Sequence, residues 1–126
     1  MNQAAAGATE SLPPVISEYL AASDRGDAEA IVRCFAENAV VVDEGQEWRG
    51  TAPIRRWRAT VATAYQYTVQ VRGAEALGEV DGVERHNVYI RLEGNFPGGK
   101  VDLTDRFALR AGRIARLEIV PTEATR

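Results

Sequence analysis

Three side chains in this sequence bring polar chemistry to faces that burial should claim. Tyr19 falls at helical spacing among Leu12, Val15, Ile16 and Leu20, and Asp43 closes the β-branched run from Ala39. Asp105 alternates in step with Val101, Leu103, Phe107 and Leu109, and on a strand that shared parity aims an acid into the core. A carboxylate buried alone takes up a proton or finds a partner, so Asp105 calls for a raised pKa or a cationic neighbour, with a buried salt bridge or a backbone hydrogen bond as the structural alternative. Asp43 either lines the mouth of a cavity or caps the turn begun by Glu44 and Gly45. The Tyr19 ring is expected to be buried with a hydroxyl that needs a partner, as in any core tyrosine. Together, two inward acids and one inward phenol suit proton transfer at carbon. A carboxylate serves as general base, and the enolate that forms is met by donors from a phenol and a protonated acid.

Other chemistries find less in the sequence. It contains no G-x-S-x-G, no G-x-G-x-x-G opening a helix after a strand, and no P-loop, which disfavours serine hydrolase, dinucleotide and nucleotide enzymes. The single histidine, His86, stands beside Glu84 and reads as a surface or pocket-wall residue; the single cysteine, Cys34, cannot form an internal bridge. No metal and no cofactor are expected. Fifteen Lys and Arg against eighteen Asp and Glu leave a net charge of −3, a poor footprint for nucleic acid or an anionic membrane. Arg55, Arg56 and Arg58 form the one basic cluster, read as the solvated side of a helix in preference to an anion contact. No apolar run nears the ~20 residues of a membrane span, and the N-terminus lacks a signal-peptide pattern, so a cytoplasmic location is the default expectation.

The elements that must position these residues follow from the same periodicities. At 126 residues, 45% hydrophobic and 26% charged, the chain reads as one folded domain over residues 11–122 behind a loose tail at 1–10. A first helix runs from Ser11, its expected cap, to about Gly26, with Pro13 and Pro14 tolerated in the first turn. Asp27 caps a second helix whose face of Ala28, Ile31, Val32 and Phe35 carries it to about Asn38; Ala39 to Asp43 follows as a strand. Thr51 and Pro53 open a third helix with Ile54, Trp57, Arg58 and Val61 on one side. Alternation at Tyr67 to Arg72, Val88 to Leu92, Lys100 to Leu109 and Ile114 to Val120, with turns at Asp81-Gly82, Asn95 to Gly99 and Gly112, predicts a strand meander. The whole is an α+β architecture, three N-terminal helices packed on one face of a curved, mostly antiparallel sheet.

The residues also resemble a known family. Val15-Ile-Ser-Glu-Tyr19-Leu-Ala-Ala-Ser-Asp-Arg-Gly26-Asp27, Ile31 to Ala36, Ala39 to Asp43, Gly50 to Trp57, Thr104-Asp105-Arg-Phe107 and Gly112-Arg-Ile114 are similar to the steroid delta-isomerases and SnoaL-like proteins of the nuclear transport factor 2-like superfamily. The resemblance spans about residues 12 to 120 and implies a cystatin-like α+β barrel enclosing a conical pocket. It implies Tyr19 and Asp105 as oxyanion donors and Asp43 as proton-moving base; beside them Trp57, His86 and Phe107 are expected as substrate-binding residues of the pocket wall. A cofactor-independent isomerase acting on a small carbonyl compound is the reading it favours. A SnoaL-like cyclase, dehydratase or epoxide hydrolase, or a non-catalytic domain binding a small hydrophobic molecule, are the alternatives. It further implies a homodimer through the outer face of the sheet.

Overall fold

A computed structural model of the chain describes residues 12–122. The expected tail at 1–10 and the expected cap Ser11 lie outside that range. Helix α1, Pro14–Asp24, starts from Pro13 and buries Ile16, Tyr19, Leu20 and Ser23, one stripe of a 3.6-residue period. Helix α2, Ala28–Arg33, is capped by Asp27, whose Oδ1 accepts from the Ala30 amide at 3.1 Å. It does not reach Asn38. Strand β1, Phe35–Asp43, begins two residues after the helix ends. Phe35 is buried in either geometry, so its spacing from Ile31 and Val32 continues a helical pattern that the backbone abandons. A register shift between Phe35 and Val40 leaves Glu37 and Asn38 exposed and completes that resemblance to a helix face.

A short strand not anticipated from the sequence, β2 at Gln46–Arg49, folds back on β1 through Glu44 and Gly45, both at positive φ. Gly50 then takes φ 91°, open to glycine and rarely to other residues, and starts helix α3, Thr51–Ala64. Strands β3 (Tyr67–Val80), β4 (Val83–Gly94), β5 (Lys100–Arg110) and β6 (Arg113–Pro121) complete a six-stranded sheet of order β2-β1-β6-β5-β4-β3. Neighbours are antiparallel except β1 and β6, and the sheet stays open, with β2 and β3 as its edges. Register shifts in β3 at Val71/Gly73 and Ala76/Gly78 bend the sheet, as bulges do.

The core lies between helices and sheet. Ile16, Ile31 and Ile54, one from each helix, are fully buried with Val41, Val88, Ile114 and Leu117 from the strands. The architecture is therefore α+β, three helices on a curved and mostly antiparallel sheet. Among the described residues no helix is long and apolar enough to cross a membrane.

Candidate active site

Position two of every strand step determines what faces the helices. On β5, Leu103, Asp105 and Phe107 share the inner face, and Asp105 stands between Val88 of β4 and Ile119 of β6. It is 2% exposed, and its Oδ1 is buried without a hydrogen-bond partner. Burial pushes its pKa up to about 7, with the negative charge of Asp43 adding to the rise and the Arg58 charge opposing it. Helix α1 presents Tyr19 to the same region. Its ring sits edge-on to Phe35 at 5.9 Å and to Phe107 at 5.7 Å, which fixes the direction of the phenol. Burial, then the charge of Asp105, raises the phenol well above its ordinary value, so Tyr19 is a proton-bearing donor.

Asp43, at the end of β1, accepts from Trp57 Nε1 at 2.9 Å across to α3. The next residue on that helix, Arg58, lies over the Trp57 ring at 5.1 Å and donates from Nη2 to the Tyr67 hydroxyl at 2.7 Å. Tyr67 in turn meets Ser23 Oγ at 3.2 Å. Two adjoining cavities result. A narrow inner one of about 40 Å³ has Tyr19, Ser23 and Asp105 in its wall. A larger outer one of about 730 Å³ is lined by Asp43 and by five aromatic side chains, Trp48, Trp57, Tyr65, Tyr67 and Phe96. Arg58 and Tyr67 belong to both walls, together with Leu92, Leu103 and Ile119. The inner cavity has room for one small polar group, and the outer one is of the size that takes a drug-sized molecule. Among the described residues no three His, Cys, Asp or Glu side chains come close enough to hold a metal ion.

A family model for the SnoaL-like domain matches residues 16–117. The chain belongs to the SnoaL-like family. A candidate polyketide cyclase from Sinorhizobium meliloti is 35% identical in sequence, with 88% of this chain and 97% of that one aligned at a TM-score of 0.77. A Catenulispora acidiphila protein with a ketosteroid isomerase-like fold, solved with trimethylamine, aligns over 89% of this chain and 88% of its own at TM-score 0.74 and 17% identity. The orange carotenoid protein of Anabaena, solved with canthaxanthin, shares the fold at 15% identity and TM-score 0.78, over 90% of this chain and 36% of that one. No curated protein sequence matches.

Within this SnoaL-like domain the residues singled out by sequence are distributed unevenly. Tyr19 and Asp105 face the inner cavity, whereas Asp43 and Trp57 line the outer one. Phe107 lines neither and acts as the surface against which Tyr19 rests. His86 also lines neither. It is buried on the inner face of β4, bonded to Glu84 at 2.8 Å, four residues before the cavity-lining Ile90. At ~3.3 Å per residue that is roughly 13 Å along the strand, which is why a histidine of the right parity still falls outside the cavities.

Arg58 corrects the reading of the basic cluster. Arg55 is exposed and paired with Glu29 at 3.0 and 3.1 Å, and Arg56 is exposed, but Arg58 is only 6% exposed. Its helical register with Ile54 and Trp57 carried that signal, and the count of positive charges masked it. Tyr67 was likewise visible as the first inward residue of the alternation through Val69 and Val71.

Proposed function

We propose that this SnoaL-like domain moves a proton on a small carbonyl compound through an enolate. The substrate body occupies the outer cavity and its carbonyl oxygen enters the inner one, between Tyr19 and Asp105. Asp43 takes a proton from the carbon next to the carbonyl; the C–H electron pair becomes the new C=C bond and the carbonyl π pair moves to oxygen. Tyr19 and the protonated Asp105 donate hydrogen bonds to that oxygen. In a substrate with a β,γ double bond the anion is a dienolate, and Asp43 returns the proton to the γ-carbon. The C–H bond formed there takes the old β,γ π pair, the enolate C=C pair settles as the α,β double bond, and the oxygen pair re-forms the carbonyl. The observation that carries this reading is the buried, unpartnered Asp105 oxygen in a chamber it shares with a proton-bearing phenol. Ketosteroid isomerase is a general example of a carboxylic acid kept protonated by an apolar site and donating, with a tyrosine, to an enolate oxygen.

A cyclase reading has its own support in the 35% identical Sinorhizobium meliloti protein. There the same enolate carbon would attack a second carbonyl carbon of the substrate instead of recovering its proton; that carbonyl's π pair moves to its oxygen, and the alkoxide takes the proton held by Asp43. Both readings share enolate formation, and both pair two copies of the domain through the outer sheet face. Solvent deuterium exchange tests the shared step. β,γ-Unsaturated ketones and linear polyketide-like diketones are incubated with the protein in D2O and followed by proton NMR. Exchange beside the carbonyl is expected in wild type and is expected to slow by roughly 10²-fold or more in Asp43→Asn. Equal exchange in the two proteins would remove Asp43 as the base, and binding without exchange would favour a ligand carrier.

A further inference from the structure

Arg58 is a buried cation that forms no salt bridge with a carboxylate among the described residues. The exposed Arg55 and the half-buried Arg91 each hold a carboxylate in a two-pronged grip, Glu29 at 3.0 and 3.1 Å and Asp102 at 2.8 and 3.0 Å. Arg58 has no ion pair among the described residues, and its one acceptor there is the Tyr67 hydroxyl at 2.7 Å. A guanidinium carries five N–H donors, and no Arg58 nitrogen is both buried and without a partner, so the unused donors open onto the cavities beside Leu92, Leu103 and Ile119, free for something else that accepts from them. The acids nearest in charge do not do so. Asp43 is engaged by the Trp57 indole, and Asp105 keeps its own oxygen unpartnered.

We propose that Arg58 is an anion receptor at the junction of the two cavities, and that the ligand of the outer cavity carries a carboxylate taken by the Arg58 fork. The position of the carbonyl beside that carboxylate rests on the reading above; the anion site does not. A planar carboxylate matches both the guanidinium fork and the flat Trp57 face beneath it. A phosphate presents more oxygens than this wall can answer, since Lys100 is the one further cation lining the outer cavity, offset there by Glu44.

The test compares 3-hydroxy-2-naphthoate with its methyl ester by titration calorimetry at pH 7. The acid is expected to bind about tenfold or more tighter than the ester in wild type, the usual scale for a charge-assisted hydrogen bond against a neutral one. In Arg58→Met that ratio is expected to fall to near one. Arg58→Lys, which keeps the charge but loses the fork, is expected to retain only part of the preference, and it serves if the methionine variant does not fold. Wild-type binding of the acid no tighter than the ester, including no binding of either, overturns the proposal, as does a ratio that survives the loss of Arg58. Naphthalen-2-ol lacks the carboxylate and reports on Tyr19 and Asp105 alone. If its binding ignores Tyr19→Phe and Asp105→Asn, the enolate reading fails while the anion receptor stands.

Discussion

A carboxyl group that shares a chamber with an arginine would ordinarily pair with it and be ionised. Asp105 does not, because Arg58 is turned to Tyr67 and no ion pair joins the two residues. Desolvation then dominates and lifts its pKa from 3.8 to about 7. Between those values the native state holds a proton that the unfolded chain has lost. Its contribution to stability is thus complete below the unfolded pKa and declines as pH rises through about 7. Asparagine does not titrate, so Asp105→Asn should gain on wild type by about 2 to 3 kcal/mol between pH 5 and pH 8. Urea melts of both proteins at the two pH values check this, since every other group titrates in both. A difference that stays constant or shrinks would mark an ionised Asp105. Alternation along β5 made the inward aim of this residue legible from sequence. The absence of its partner was not, because which way Arg58 turns depends on Tyr67, a residue on another element.

The elements differ in how plainly their sequence announces them. Helix α3 was legible because Ile54, Trp57 and Arg58 obey one period behind a Gly-Thr-x-Pro start. The same packing predicts its weakest point. Ile54 is fully buried, so Ile54→Ala should cost about 2 to 5 kcal/mol, read as a lower urea midpoint at unchanged slope. A loss under 1 kcal/mol would mean that the helix is held elsewhere. Strand β2 is four mostly exposed residues and carries no hydrophobic pattern to read. The far half of β3, from Gly73, was illegible for a different reason. Two register shifts break its alternation, and Gly78 sits at φ 95°, so the period-two signal fails while the strand continues to pair with β4.

At the scale of the molecule, helices cover only one face of the sheet. The other face presents Arg91 bound to Asp102 and Arg106 facing Glu118 at 3.6 Å, charges already answered within one copy. Pairing two domains there leaves these charges neutralised at the contact. Sedimentation velocity at tens of micromolar should give a dimer, and Arg91→Glu, which sets a second carboxylate against Asp102, should shift it toward monomer. A wild-type monomer at every concentration would set that face aside. The cavities on the helix side place polar groups in order along one path, Asp43 outside, Arg58 and Tyr67 at the junction, Tyr19 and Asp105 within. That order has chemical meaning only if the innermost carboxyl keeps a proton to donate well above the ordinary carboxylate range. The most direct test is a ¹³C NMR titration of the Asp105 side-chain carboxyl in the folded protein. A midpoint near 7 is the predicted result. A midpoint at or below the ordinary ~3.9 of an aspartate would contradict it, leaving Asp105 an ionised structural residue and the enolate without its acid.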